Sequence, residues 1–201
     1  MIFMDSIKLF NRWESEGVTV SDPGLQKYIG LESTVIPASY GRNAAQQFHK
    51  SKAHIVERLA LKLMVPGHKS KRHFKSSGRC TGKLGAELAI IEEVFEKIEK
   101  KTGENPIQVF VKAIENSALR EEVTSYKVGS IIARKAVVTA PQRRIDIALK
   151  FMVQGSYQKA FGKRSMADTL ASEILNAYNA SNESHAIREK ERIEREAEGA
   201  R

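Results

Sequence analysis

Residues 84–118, LGAELAIIEEVFEKIEKKTGENPIQVFVKAIENSA, carry the clearest structural signal of this 201-residue chain. Apolar side chains recur there at steps of four and three residues, at Leu84, Leu88, Ile91, Phe95 and Ile98. This period places them on one face of an α-helix. Gly103 is suited to end that helix, and Asn105 followed by Pro106 is typical of the start of the next one. The stretch therefore predicts two consecutive amphipathic helices and a mainly α fold class.

Further helices are predicted on both sides of this pair. Residues 53–65 have a helical apolar pattern that Pro66 stops. Pro141 begins another helix, and residues 165–178 open with the Ser and Asp spacing of a capping box. Residues 184–201 are almost entirely charged, which predicts a helix that is solvated or supported by a partner. Together these segments predict a bundle of about six helices.

One segment breaks the helical pattern. Residues 121–139, EEVTSYKVGSIIARKAVVT, are rich in Val, Ile, Thr and Tyr, with Gly129 and Ser130 near the middle. This composition favours β-structure, and the central Gly-Ser pair favours a turn. We predict one β-hairpin at about 122–139 that protrudes from the helical bundle.

The N-terminal quarter of the chain is weakly patterned. Leu9, Phe10 and Trp13 form its one small apolar cluster. We therefore expect residues 1–52 to be an N-terminal extension that lies on a partner or on the core, and residues 53–201 to form the helical domain.

The positive charge of the chain is concentrated in two blocks. The formal net charge is +9, and residues 40–83 hold eleven Lys or Arg against the single acid Glu57. Residues 120–164 hold ten Lys or Arg against three acids, whereas the rest of the chain is mildly acidic. Cations that nearby acids do not offset favour a polyanion, because each phosphate contact releases counterions. The predicted RNA-binding residues are Arg42, Lys50, Lys52, Lys69, Lys71, Arg72, Lys75, Arg79, Lys83, Lys127, Arg134, Lys135, Arg143, Arg144, Lys159, Lys163 and Arg164.

Two of these arginines stand at a favourable place for an anion. Arg143 and Arg144 follow Pro141 in the first turn of a predicted helix, where exposed amides and the helix dipole already attract negative charge. Cations there have an electrostatic cost unless a phosphate offsets it. By contrast, Lys97, Lys100 and Lys101 alternate with glutamates, which is typical of solvated surface.

Other kinds of site fit the sequence poorly. The segment GRCTGK resembles a phosphate-binding loop, but Gly78 and Gly82 enclose three residues instead of four, and no Ser or Thr follows the Lys. His68, His73 and Cys80 supply three zinc ligands, whereas a structural zinc site needs four. The acids lie on predicted helix faces between lysines and form no recognisable catalytic pair. We predict no cofactor, no metal site and no enzymatic activity.

The sequence also indicates the cellular compartment in which the protein is expected. Cys80 is the only cysteine, so no intramolecular disulfide can form, and a reducing cytosol is expected. Asp5, Lys8 and Arg12 interrupt the apolar run that a signal peptide would need. No stretch of about 18 apolar residues is present, so we expect no membrane partner.

Four segments together resemble a known family, the universal small-subunit ribosomal protein number seven. They are IVERLALKLMVPGHK (55–69), GENPIQVFVKAIENS (103–117), YKVGSIIARKAVVTAPQRRIDIAL (126–149) and FGKRSMADTLASEILNAY (161–178). The resemblance runs from about Leu9 to Arg201. The extended N-terminus and the insertion between Gly67 and Lys83 resemble the archaeal and eukaryotic type. Ser130 departs from the family, which usually has a second glycine there.

The resemblance implies a helical fold with a protruding hairpin and a structural role in the small ribosomal subunit. It implies binding to the head region of the small-subunit rRNA, organisation of head assembly, and a position near the mRNA exit channel and the exit-site tRNA, beside neighbouring ribosomal proteins in the cytoplasm. The family's basic loop corresponds to Lys69–Lys83, its hairpin arm to Ser125–Thr139, its paired arginines to Arg143 and Arg144, and its later basic link to Lys163 and Arg164.

The charge pattern alone leaves two alternatives open, and one of them, an RNA-processing enzyme, would have to show turnover that is lost when one acid is mutated. An architectural DNA-binding protein also combines a helical body with a basic hairpin arm, which enters a groove of the duplex. Competition between folded rRNA and duplex DNA at fixed salt separates the two functions.

Overall fold

The computed structural model describes residues 7–66, 82–160 and 164–201, and the backbone of 68–69 and 72–73. The α-helices in these residues are α1 (Pro23–Gln26), α2 (Ile55–Leu63), α3 (Leu84–Thr102), α4 (Pro106–Ser117), α5 (Pro141–Lys159), α6 (Met166–Tyr178) and α7 (His185–Glu198). Two short 3₁₀ turns span Arg42–Ala44 and His49–Lys52. The predicted mainly α fold is confirmed.

The strands in the same residues form three antiparallel pairs. They are β1 (Lys8–Leu9) with β2 (Trp13–Glu14), β3 (His68–Lys69) with β4 (Arg72–His73), and β5 (Glu121–Val128) with β6 (Ile131–Val138). The β5–β6 pair is the predicted hairpin, with Gly129 and Ser130 as its turn. The other two pairs are very short, and their sequences carried no alternating apolar pattern that would predict them.

Local signals set the helix boundaries as predicted. Gly103 ends α3 in the left-handed region with φ +70°, which glycine adopts without steric cost. The side chain of Asn105 accepts a 3.0 Å hydrogen bond from the Ile107 amide at the start of α4. At α6 the Ser165 hydroxyl accepts a 3.0 Å hydrogen bond from the Asp168 amide.

Helix α6 occupies the centre of the body and packs against α3, α4 and α5. Ala167, Ala171 and Ala177 are buried along it, and their small side chains let neighbouring helices approach closely. Leu170 and Ile174 are fully buried between them and fill the remaining space. The alternation of small and large residues therefore gives one continuous core.

The N-terminal segment lies on this core. Leu9, Trp13 and Leu25 belong to the same buried cluster as the helices. The Trp13 ring meets the Phe95 ring edge to face, with centroids 5.6 Å apart, and its indole N–H donates to Glu99 at 3.1 Å. Residues 7–29 thus contribute to the body, while the domain boundary at residue 52 stays a prediction.

The charged helix α7 is held by the protein itself. The fully buried Glu173 of α6 accepts hydrogen bonds from the Ser184 hydroxyl at 2.8 Å and the Ala186 amide at 3.2 Å. On α5, Gly155 faces the first residue of α7, and a Cβ at position 155 would lie 2.5 Å from the His185 Cβ. Only glycine permits this approach. α7 also packs along β5, so it connects the body with the hairpin.

Candidate nucleic-acid interface

The β5–β6 hairpin, which we call the arm, carries three of the predicted RNA-binding residues. Lys127, Arg134 and Lys135 are exposed, and within the described residues none of their side chains has a hydrogen bond or an ion pair. Arg134 pairs with Ser125 and Lys135 with Thr124 in the ladder. Because neighbouring side chains along a strand point to opposite faces, the cations lie on both faces of the arm.

The arm also exposes apolar side chains close to these cations. Tyr126 is 48% exposed, Ile131 71% and Ile132 64%. Of the two turn residues, Gly129 alone has positive φ, at +63°, so a serine fits position 130 without strain. The arm therefore presents free positive charge and free apolar surface together.

The two arginines of α5's first turn differ from those of the arm. Arg143 forms two 2.7 Å hydrogen bonds with the Glu122 carboxylate, and its side chain is 58% exposed. Arg144 is 15% exposed, donates to Asp22 at 2.8 Å, and donates to the Leu119 carbonyl at 2.7 Å. The prediction that acids do not offset these arginines is wrong: Arg144 pairs with Asp22, 122 residues away in the sequence, and Arg143 pairs with Glu122, one of the three acids of the same basic block. Their part in RNA binding stays a prediction.

Asp22 is affected by this contact in turn. Its partial burial alone raises the pKa of its carboxyl, but hydrogen bonds from the Gly24 amide and from Arg144 outweigh burial and lower that pKa below its usual value. Asp22 is therefore ionised at neutral pH and fixes Arg144 in place. Through this contact Arg144 holds the start of α1 against α5 and so stabilises the fold.

A second cluster of charges joins the N-terminal segment, α2 and α5. Asp146 accepts from Lys50 at 2.7 Å and from the fully buried Arg58 at 3.2 Å. Burial alone raises the pKa of Asp146, but the hydrogen bond from Lys50 and the charges of Arg58 and Lys62 lower it overall. Lys50, a predicted RNA-binding residue, thus forms an ion pair with an acid of the protein itself.

Lys159 is engaged in the same way. Its ammonium group donates to Glu173 at 2.7 Å and to the Glu183 carbonyl at 3.1 Å. These contacts tie the end of α5 to α6 and to the loop before α7. Their geometry favours a structural role over a free cation.

The remaining described candidates are exposed, and their side chains have no hydrogen bond or ion pair to the described residues. They are Arg42 in the first 3₁₀ turn, Lys52 at the end of the second, Lys83 just before α3, and Arg164 just before α6. Together with the three cations of the arm they form the set that we call the free cations. A polyanion meets no internal competitor at these seven residues.

Two aromatic residues near Arg42 and Lys52 escaped the sequence analysis. Tyr40 is 80% exposed and Phe48 66% exposed, and both have left-handed backbones, with φ +50° and +63°. Exposed aromatic rings beside cations are suited to stack on unpaired bases. A search for aromatic residues inside the basic block, in addition to a count of charges, would have found them.

Six predicted residues cannot be placed as side chains. Lys71, Lys75, Arg79 and Lys163 lie outside the described residues, and Lys69 and Arg72 are described only as paired backbone of β3 and β4. Among the described residues, no group of three or more His, Cys, Asp or Glu side chains is placed to hold a metal ion. Over the same residues, no helix has the length and apolarity that a membrane crossing requires.

The sequence model of Ribosomal protein S7p/S5e matches residues 26–201. The chain belongs to the S7p/S5e family. The matched range contains α2 to α7 and the arm, and the free cations and the paired ones all lie within it.

Full-length relatives of the S7p/S5e family are found among archaea. The chain is 49% identical to the small ribosomal subunit protein uS7 of Nanoarchaeum equitans, over 97% of this chain and 99% of that protein. It is 44% identical to the protein of the same name from Methanosphaera stadtmanae, over 97% and 99%. It is 43% identical to that of Archaeoglobus fulgidus, over 98% and 96%. The resemblance to this family, in its archaeal and eukaryotic type, is confirmed, and these relatives are archaeal.

Proposed function

We propose that this S7p/S5e chain is a structural constituent of the small ribosomal subunit that binds small-subunit rRNA and organises assembly of the head. Archaeal relatives that match this chain over nearly its full length are named as proteins of that subunit. The observation that carries the proposal is the set of seven free cations, exposed and without an acid among the described residues.

The proposal is based on the difference between the cations that form ion pairs within the protein and the free cations. Lys50, Arg144 and Lys159 hold elements of the body together. The free cations have no such task, so a phosphate that binds them displaces only solvent and counterions. Binding therefore leaves the internal ion pairs of the body intact.

The arm extends this surface away from the body. Eight residues per strand span about 26 Å at the usual rise per residue. With cations on both faces, the arm is suited to lie between two nucleic-acid segments. We propose that it lies near the mRNA exit channel and the exit-site tRNA, and that neighbouring ribosomal proteins contact the C-terminal helices α6 and α7.

The proposed role is one of binding, without catalysis or a cofactor, in cytoplasmic ribosomes. Its test is a binding competition at 100 mM KCl between a transcript of the rRNA head domain and duplex DNA of equal length. We expect the rRNA to bind more tightly and the DNA to compete weakly. Equal or tighter binding of the duplex would instead favour the architectural DNA-binding function.

A further inference from the structure

A groove outside the predicted site lies between the end of α2 and the middle of α5. It has a volume of about 390 Å³, and its lining includes Leu61, Lys62, Val65, Lys150 and Val153. Neither lysine is among the predicted RNA-binding residues. The groove is of a size that small ligands or single ligand units occupy in proteins.

The groove has an excess of positive charge. Within the described residues, the side chains of Lys62 and Lys150 make no hydrogen bond and no ion pair, and the Lys150 ammonium group lies 6.0 Å from the centre of the Phe151 ring. The acid that acts on Lys62 is Asp146, and it is already bonded to Lys50 and Arg58. Three cations, Lys50, Arg58 and Lys62, thus share one carboxylate, and Lys150 adds a fourth positive charge that acts on Lys62.

This charge has a measurable consequence for Lys62. Burial lowers the pKa of its ammonium group, and the like charges of Lys50, Lys150 and Arg58 lower it further, although Asp146 acts in the opposite direction. A half-buried cation among other cations has an electrostatic cost in the free protein. An anion placed beside it would remove that cost.

The walls of the groove add an apolar surface. Leu61, near the end of α2, is 39% exposed, and Val65, in the bend that follows α2, is 46% exposed; both line the groove. On α5, Lys150 and Val153 are three residues apart and lie on the same face. Each helix therefore offers one cation and at least one apolar side chain to the groove.

We propose that this groove binds one nucleotide unit of rRNA, with its backbone phosphate between the Lys62 and Lys150 ammonium groups and its sugar against Leu61 and Val65. The proposal rests on the proposed function and adds a contact to it. An RNA backbone is the occupant that matches, because it joins an anion to an apolar sugar face along a continuous chain.

The test compares two variants with the same change in charge. Lys62→Gln/Lys150→Gln removes the cations of the groove, and Lys100→Gln/Lys101→Gln removes two exposed cations at the end of α3. Binding of the full chain to the rRNA head transcript is measured from 50 to 200 mM KCl. The groove variant should bind with a salt slope lower by about 1 to 2, so its loss of affinity from 50 to 200 mM KCl should be about 4 to 16 times smaller than that of the wild type.

The control variant should keep the wild-type slope. If the groove variant also keeps the wild-type slope, the groove inference is overturned while the proposed function stands. If the wild type itself fails to bind the transcript, both are overturned.

Should Lys62→Gln/Lys150→Gln fail to fold, Lys150→Gln alone is measured, with an expected slope decrease of about 1. Inorganic phosphate and anionic vesicles serve as further probes, and binding of either that depends on the two lysines, with an unchanged RNA slope, would overturn the assignment to RNA.

Discussion

The body and the arm use the same kind of side chain for different purposes. In the body, Lys50, Arg144 and Lys159 each contact a carboxylate of another element. In the arm, Lys127 and Arg134 have no such partner among the described residues. A cation with an acid partner holds the fold together, whereas a cation without one is available to a polyanion. Position in the sequence does not separate the two kinds, since both occur within residues 120–164.

The body and the arm should differ most in how a substitution changes stability, and the largest loss of stability is expected in the core of the body. Phe95→Ala removes a fully buried ring that contacts Trp13 and Phe110. We expect the free energy of unfolding to fall by about 3 to 5 kcal/mol. Urea unfolding followed by circular dichroism measures it. A change below about 1 kcal/mol would show that the body does not depend on this aromatic cluster.

A pH titration tests a second property that the body has and the arm lacks. His54 is buried at the start of α2, and burial lowers its pKa to about 4. Between pH 6.5 and 4 the unfolded chain therefore binds a proton that the folded chain does not, so stability falls as the pH falls. From pH 7 to 4.5 this contribution should decrease by about 2 to 3 kcal/mol.

The matched variant for this titration is His54→Asn, which retains a side-chain acceptor for the Val56 amide. Its unfolding free energy should change less between pH 7 and 4.5 than that of the wild type. Parallel pH curves for the two proteins would show that His54 is not the responsible group.

Adjacent arginines give a smaller effect and a direct contrast. Arg144→Ala removes charge-assisted hydrogen bonds of a mostly buried side chain and should destabilise the fold by about 2 kcal/mol. Arg143→Ala breaks a more exposed pair and should cost below about 1 kcal/mol. Thermal unfolding of the two variants measures the difference. Equal losses of stability would remove the distinction between them.

RNA binding by the same two variants tests the earlier prediction for this arginine pair. Replacing both should lower the salt slope by up to about 2. If phosphates displace Glu122 more readily than Asp22, Arg143→Ala should account for most of the decrease. An unchanged slope in the double variant would mean that both arginines serve the fold alone.

The arm should show the smallest effect on stability and a large one on binding. In Lys127→Gln/Arg134→Gln/Lys135→Gln the free energy of unfolding should change by no more than about 0.5 kcal/mol. The salt slope of rRNA binding should fall by about 2 to 3. The control is Lys97→Gln/Lys100→Gln/Lys101→Gln on α3. A similar decrease in the control would mean that total charge, and not the arm, determines binding.

Much of the fold could be predicted because its signals are local. Asn105, Pro106 and the Ser165–Asp168 spacing act within one helical turn, and the structure places all of them as helix starts. The Gly129-Ser130 turn is equally local. In each case the residues that determine the conformation are neighbours in the sequence.

The division between paired and free cations could not be predicted because it depends on distant contacts. Arg144 meets Asp22 across 122 residues, and Lys62 meets the groove wall of α5 only in the folded chain. A count of nearby acids in the sequence cannot report either contact. The same limit applies to Leu9 and Trp13, whose burial among the helices follows from tertiary packing.

The close approach at Gly155 reaches further than the two helices it joins. Helix α7 is seated there, and at its other end Glu194 accepts from the Arg120 amide while Arg201 bonds Glu121, both at the root of the arm. Helix α7 therefore connects the close approach on α5 with the base of the arm. One methyl group added at position 155 should push α7 away from α5 and disturb the contacts at that base, so an uncharged residue of the body helps to hold the charged arm in place.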